Sequence, residues 1–406
     1  MVACGMHYGV WLKDHGVDIT KYFGNTAYIS YGKWDLPEKF HSDKWISEVA
    51  TRAIEECKYK GRPFFLSINF QDPHNPCMVP EPWDKMYKPD KIPVFSFKEG
   101  EPESFNSKPP FYNEIINNKG SYRWRSSDPD LPGPANVSSL DWTAQQVQEN
   151  AACYYGMVSL MDKYVGIILD KLEELNLINN TIIVFTADHG DYLGDPGMFW
   201  KSLVAFEEDV NVPLIVSYPK VLPRRKTSTA LHNLVDLAPT FLSLIGFSIP
   251  NEMEGIEQSK TWIQPNKSTR TFTVIEERPY NSEFNVRVLI NENHKICLYA
   301  NKKYGELYDI KQVPDHVNNL WQDPEYQLTS WMMNKTKPRL SHAEELISNI
   351  PESVRKKSLF FTTIGKFLMN DGKPSLQVAF PVMSKNMIKI PLIEVLEDLI
   401  GEEVTI

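Results

Sequence analysis

Asp188, His189 and Lys201 are the residues of this chain whose types and spacing suit chemistry. The run Thr186-Ala187-Asp188-His189-Gly190-Asp191-Tyr192-Leu193-Gly194 comes directly after the apolar stretch Thr181-Ile182-Ile183-Val184-Phe185, and Lys201 follows a few residues later. A carboxylate and an imidazole side by side in a loop can hold a divalent metal, and a lysine close behind them can meet an anion that the metal also grips. Gly190 and Gly194 let the backbone turn tightly beneath such a site. The elements that must position these groups follow from the flanking residues. A run that short, branched and aromatic predicts a strand buried on both faces, inside a largely parallel sheet. Ligands of open α/β sheets sit at the carboxyl ends of strands, where this one hands over to Asp188 and His189.

A second apolar run, Pro63-Phe64-Phe65-Leu66-Ser67-Ile68-Asn69-Phe70, leads into Gln71-Asp72-Pro73-His74-Asn75-Pro76, so it too predicts a strand that delivers a histidine into a loop. Pro213-Leu214-Ile215-Val216-Ser217-Tyr218 is a third. To these are added the helical segment Tyr155-Gly156-Met157-Val158-Ser159-Leu160-Met161-Asp162, the pair Glu207-Glu208, Val235-Asp236-Leu237-Ala238-Pro239-Thr240, and Gly305-Glu306-Leu307-Tyr308-Asp309. Together these segments, spread over most of the chain, resemble the sulfatases, a branch of the alkaline phosphatase superfamily.

The resemblance implies an α/β fold: an alkaline-phosphatase-like, mostly parallel sheet flanked by helices, with a smaller carboxy-terminal antiparallel subdomain. It implies hydrolysis of sulfate esters by a formylglycine made from a cysteine or serine in a Cys/Ser-x-Pro/Ala-x-Arg context. One calcium or magnesium ion would assist, and lysine and histidine side chains would stabilise charge on the sulfate. Carried over residue by residue, Asp188 and His189 resemble metal ligands, and His74 and Lys201 resemble catalytic sulfate contacts. The implied partner is a sulfated small molecule or glycan.

The nucleophile motif is missing from this sequence. None of Cys4, Cys57, Cys77, Cys153 and Cys297 has a proline or alanine two residues on and an arginine two beyond that. Ser127 and Ser217 have the proline but not the arginine. Gly32-Lys33-Trp34-Asp35-Leu36 is similar to a family segment carrying a catalytic lysine and histidine, but Asp35 stands where the histidine would be. We read it as a turn before a helix capped near Ser42 or Asp43. The resemblance therefore implies that Met1 falls inside the family's catalytic domain, with on the order of a hundred residues ahead of it. Either the sequence is truncated or the lineage has lost catalysis.

A chain of 406 residues with 42% apolar content is long enough for two or three packed domains. The expected division is a catalytic domain over 1–250, a carboxy-terminal subdomain over 251–340, and an extension of unassigned role over 341–406. A net charge of -9 argues against general binding to nucleic acid or anionic membranes, so a sulfated ligand needs a local basic site. Lys220, Arg224, Arg225 and Lys226 form the densest basic cluster and read as a solvated loop. The five scattered cysteines do not suggest a disulfide framework, and no apolar run is long enough to span a membrane. Met1–Gly16 lacks the basic start and apolar stretch of a signal peptide, although the family is usually secreted, periplasmic or lysosomal.

Apolar spacing predicts an amphipathic helix over Ser42–Lys58, a long one over Thr143–Leu175 and a third over Leu234–Ile245, stopped by Gly246. Between His74 and Asp141 lies a long Pro-, Gly- and Ser-rich stretch suited to a binding wall, with Arg123, Trp124 and Arg125 inside it. Thr271–Ile275, Val286–Asn291 and His294–Tyr299 read as short strands, with His294 assigned to a turn. Two further function classes stay open: a phosphodiesterase or phosphonate hydrolase of the same superfamily, and a catalytically inactive glycan-binding relative.

Overall fold

The computed structural model describes residues 7–18, 31–93, 108–112, 142–194, 197–201, 206–277, 285–311 and 319–323. The chain divides into two compact units, Met1–Arg224 and Arg225–Ile406. Arg123, Trp124, Arg125 and everything after Asp323, including the extension expected over 341–406, lie outside the described residues.

The first unit contains α1 (His7–Asp14), β1 (Tyr31–Lys33), α2 (Ser42–Lys60), β2 (Cys77–Val79), α3 (Ala144–Glu174), β3 (Ile183–Thr186), α4 (Glu207–Val210) and β4 (Leu214–Ser217). Helix α3 matches its predicted span, and its amino-terminal end is written locally. The Thr143 hydroxyl accepts the Gln146 backbone N–H while the Gln146 side chain accepts the Thr143 N–H, a reciprocal cap. Met157, Leu160, Tyr164, Ile168 and Leu172 form its buried stripe, whereas Val158 is exposed on the opposite side. Gly156 lies on this helix where a Cβ would come within 2.7 Å of the Trp83 carbonyl, so only glycine allows that approach. Helix α2 is capped one residue earlier than expected. His41 is the extended residue, and its Nδ1 accepts the Asp43 N–H at 3.3 Å. Gly61, at φ 65°, closes the other end.

Residues 63–70 are extended but are neither enclosed on both faces nor paired as predicted. Phe64, Leu66, Ile68 and Phe70 lie together with Ala50 and Ile54 of α2, Ile168 and Leu172 of α3, and Ile183 of β3, in period-two alternation with more exposed neighbours. Among the described residues this extended stretch joins no ladder. The parallel pairing present is β1 with β2, Tyr31 opposite Cys77 through Lys33 opposite Val79. Strand β3 pairs antiparallel with β4, Ile183 opposite Ser217, and every residue of β3 is half-buried instead of enclosed on both faces. A short apolar run reports burial but not strand direction, which is set by the path of the chain between the two strands. Lys220, Arg224, Arg225 and Lys226 are each exposed, as a solvated loop requires.

Four cysteines lie within the described residues. Cys77, Cys153 and Cys297 are buried and Cys57 is half-buried. Burial pushes the Cys153 thiol up to about 11 and raises the Cys77 thiol further still. Alkylation of the native protein with iodoacetamide at pH 8 is therefore expected to label Cys57 and leave these three unmodified. Mass spectrometry showing Cys77 labelled as fast as Cys57 would contradict that packing.

In the second unit, α5 (Leu237–Leu244) and α6 (Ser259–Ile263) precede a four-stranded antiparallel meander of β5 (Phe272–Glu277), β6 (Val286–Asn291), β7 (His294–Tyr299) and β8 (Gly305–Asp309). The predicted strands are present, and β6 alternates buried and half-buried positions as its sequence pattern requires. His294 is not in the turn. It opens β7 opposite Asp309, because Asn291 closes the preceding bend by accepting the backbone N–H groups of Asn293 and His294. The helix expected over Leu234–Ile245 forms as a 3-10 turn over Leu234–Asp236 followed by α5, and Gly246 at φ 84° ends it.

Candidate anion and metal site

Of the four residues singled out from sequence, Asp188, His189 and Lys201 come together by direct contact. The Lys201 ammonium lies 2.8 Å from His189 Nε2, and His189 Nδ1 lies 2.7 Å from the Gly190 carbonyl. The partners assign the tautomer: Nδ1 carries the proton and donates to Gly190, so Nε2 accepts from Lys201. His74 lies within electrostatic range of the same pair. Desolvation lowers its imidazole from the ordinary range, the Asn75 carbonyl bonded to Nδ1 at 2.7 Å opposes this, and the charges of Lys201 and His189 lower it further. The imidazole is thus crowded by neighbours although the residue keeps much of its surface open. Asp188 stands at the rim. Its side chain is 60% exposed, with Oδ1 accepting the His189 N–H and Oδ2 3.5 Å from His189 Nε2.

The local backbone explains how Lys201 arrives beside His189. Asp191 Oδ1 accepts the N–H of Leu193 at 2.9 Å and that of Trp200 at 3.1 Å, tying the loop after β3 to the segment that ends in Lys201. Backbone bonds from Tyr192 to Trp200 and from Gly194 to Met198 run alongside. Burial raises the Asp191 carboxyl, opposed by those two N–H donors and by the charges of His189 and Lys201. Leu193 at φ 50° and Trp200 at φ 64° adopt the left-handed region, a strain of order 1–3 kcal/mol each that the surrounding bonds must hold. A Cβ on Gly190 would lie 1.8 Å from the Glu208 carbonyl oxygen, which leaves no space for any other residue.

Sequence reading did not single out Asp191. Its Asx-type bond to Leu193 is a local signal that could have done so, but the Trp200 contact bridges nine residues and is tertiary. Sequence reading also passed over His41, Asp43 and Asp72, whose donor atoms lie within 4.8 Å of one another.

Asp188 and His189 are of the right chemistry for part of a divalent-metal shell, but they do not by themselves fit calcium or magnesium. Those ions take about six to eight largely oxygen donors. Here there are two donors, and the His189 Nε2 lone pair is engaged by Lys201. What the arrangement does offer is one ammonium, Lys201, bonded to the neutral His189 imidazole in a chain whose net charge is -9. Such a group can receive a doubly charged tetrahedral anion.

The family model described as Sulfatase matches residues 5–247, more than half of the chain. The chain belongs to the sulfatase family. A second model, described as N-sulphoglucosamine sulphohydrolase, C-terminal, matches residues 194–343. The sulfatase-family chain is 24% identical over 319 residues to an arylsulfatase of Clostridium perfringens, covering 78% of this chain and 61% of that protein. It is 32% identical over 204 residues to an N-acetylglucosamine-6-O-sulfatase of Bacteroides thetaiotaomicron, covering 48% of this chain and 35% of that one. The chain thus spans between about a third and three fifths of the length of these two relatives. Among solved structures, a phosphonate monoester hydrolase from Silicibacter pomeroyi superposes with a TM-score of 0.67 at 20% identity, covering 86% of this chain and 69% of that one. At that identity the likeness speaks for the fold, which is the α/β, alkaline-phosphatase-like one expected from the sequence.

Proposed function

We propose that this sulfatase-family chain binds sulfate esters on a carbohydrate, with Lys201 and His74 contacting the sulfate, and that it carries the anion-binding part of a sulfate-ester hydrolase whose nucleophile motif is missing from this sequence. The observation that carries this reading is the Lys201–His189 contact at 2.8 Å, with the Lys201 charge felt at the His74 imidazole and Asp188 exposed alongside. The carbohydrate part is supported by the N-acetylglucosamine-6-O-sulfatase among the relatives. Asp188 would contribute a carboxylate oxygen to the site of one calcium or magnesium ion, and His189 would join it only by releasing Nε2 from Lys201; such an ion would supply polarisation of the sulfate. The residues of this chain do the rest. Lys201 supplies fixed positive charge, Gly190 fixes the tautomer of His189, and Asp191 holds the Trp200–Lys201 backbone in place.

Calorimetric titration of residues 1–406 with N-acetylglucosamine 6-sulfate tests this. Binding is expected for the sulfated sugar and not for its unsulfated counterpart. Lys201→Ala and His74→Ala are each expected to weaken it about tenfold to a hundredfold, the loss of one charge-assisted hydrogen bond worth about 1.5–3 kcal/mol. Equal affinity for the two sugars, or an affinity that neither substitution changes, would remove the site from consideration.

A further inference from the structure

At the start of α2, away from the Asp188–Lys201 loop in sequence, His41, Asp43 and Asp72 bring one imidazole and two carboxylates together inside the protein. Their side chains are 6%, 0% and 8% exposed. His41 Nδ1 lies 3.8 Å from Asp43 Oδ1, and His41 Nε2 lies 3.6 Å from Asp72 Oδ2. Both Asp43 oxygens and Asp72 Oδ2 are buried and make no hydrogen bond of good geometry, although the Ser42 hydroxyl approaches Asp43, and among the described residues no lysine or arginine pairs with either carboxylate. Trp34 closes one side, its ring edge-on to His41 at 4.8 Å between centroids. Buried carboxylates normally have their lone pairs satisfied or their charge compensated, so two together with neither condition met leave room for a cation.

We infer that His41, Asp43 and Asp72 form a second site, with three protein donors and a fourth position for water, for a divalent transition-metal ion of the zinc class, using none of the residues of the Asp188–His189 site. Zinc accepts His nitrogen and Asp oxygen at about 2.0–2.2 Å in a tetrahedral shell, which places neighbouring donors roughly 3.4 Å apart. With one donor atom taken from each residue, the three lie within 4.8 Å of one another, and His41 Nε2 is 3.6 Å from Asp72 Oδ2, so side-chain rotation has to bring the Asp43 carboxylate in to complete that spacing. Calcium fits poorly, since it asks for about six to eight oxygens and this closed pocket offers two carboxylates and a nitrogen. Coordination through Nε2 moves the ring proton to Nδ1 and gives up the long 3.3 Å cap from the Asp43 N–H. The ion would tie the first turn of α2 to the loop that presents His74 two residues after Asp72. Burial pushes the Asp43 carboxyl up to about 7, against a smaller opposing contribution from Ser42, and raises that of Asp72, with Asp43 adding to it; a bound cation would relieve that strain.

The test uses the full chain carrying Asp188→Ala, so that the other site does not contribute. After treatment with a chelator, zinc titration by calorimetry is expected to show one equivalent bound, with a raised melting temperature. Adding Asp72→Asn or Asp43→Asn is expected to weaken that binding at least tenfold and to abolish the thermal response to zinc. Both substitutions keep side-chain shape, and circular dichroism of the metal-free variants verifies that they fold. Absence of the zinc equivalent from the Asp188→Ala protein overturns the inference. So does binding that survives both Asn substitutions, and so do Asn variants that melt higher than their parent while the parent ignores zinc, which would mean that the two carboxyls merely share a proton.

Discussion

Residues 1–406 on their own are expected to show no hydrolysis of an aryl sulfate above the uncatalysed rate. Attack on sulfur needs a positioned nucleophile, and no cysteine or serine of the sequence stands in the Cys/Ser-x-Pro/Ala-x-Arg context from which formylglycine is made. The described thiols do not substitute for it: Cys77, Cys153 and Cys297 are buried, and burial raises the first two well above the range in which a thiolate forms at neutral pH. Lys201 and the two histidines can bind and polarise a sulfate, but without a held nucleophile the proximity contribution of about 7–11 kcal/mol is absent. That alone corresponds to roughly five to eight orders of magnitude in rate. The check is an assay on 4-nitrophenyl sulfate after co-expression with a formylglycine-generating enzyme, with peptide mass spectrometry of all five cysteines. Activity that follows the protein through purification and vanishes in Asp188→Ala would show that this chain does hold a nucleophile.

Asp236→Ala is expected to destabilise the second unit by about 3–5 kcal/mol, the cost of stripping the partner from a buried charge. Asp236 is 1% exposed. Its carboxylate accepts the backbone N–H of Asn233 at 2.9 Å and of Ile256 at 2.8 Å, the Gln258 amide at 3.2 Å, and a short bond from Arg270 Nη2. Arg270 is itself 9% exposed and its Nε is already without an acceptor, so the substitution leaves a guanidinium buried and largely unpaired. Burial lowers the Arg270 pKa and Asp236 raises it, the same balance seen from the other side. Scanning calorimetry should show the transition of this unit about 6–20 °C lower, at roughly 2–4 °C per kcal/mol for a unit of this size. Adding Arg270→Met should restore part of the loss, because an apolar side chain of similar length removes the orphaned charge. A shift below about 2 °C in the single variant would mean that the network contributes little. Asp236 belongs to a segment that carried the family resemblance in the sequence, and in the structure that segment holds the fold together.

What the sequence by itself determined is what depends on residues close along the chain. The start of α3 was legible because Thr143 and Gln146 cap each other three residues apart, and the strands of the second unit were legible because alternation and turn residues are local. The chemistry around Asp188, His189 and Lys201 was legible for the same reason, since residue types within a dozen positions suffice to suggest an anion site. Tertiary structure decided the rest. The direction of β3 against β4 depends on the chain between them, and two apolar runs look alike whether parallel or antiparallel. The bond by which Asp191 holds the backbone next to Lys201 depends on the Trp200 segment folding back onto it. His41, Asp43 and Asp72 meet because a helix start and a loop about thirty residues downstream converge, and no pattern along the chain records that two carboxylates will be buried together. Periodicity and capping are energies between near neighbours, whereas strand pairing and buried polar clusters are energies between residues that only the completed fold brings into contact.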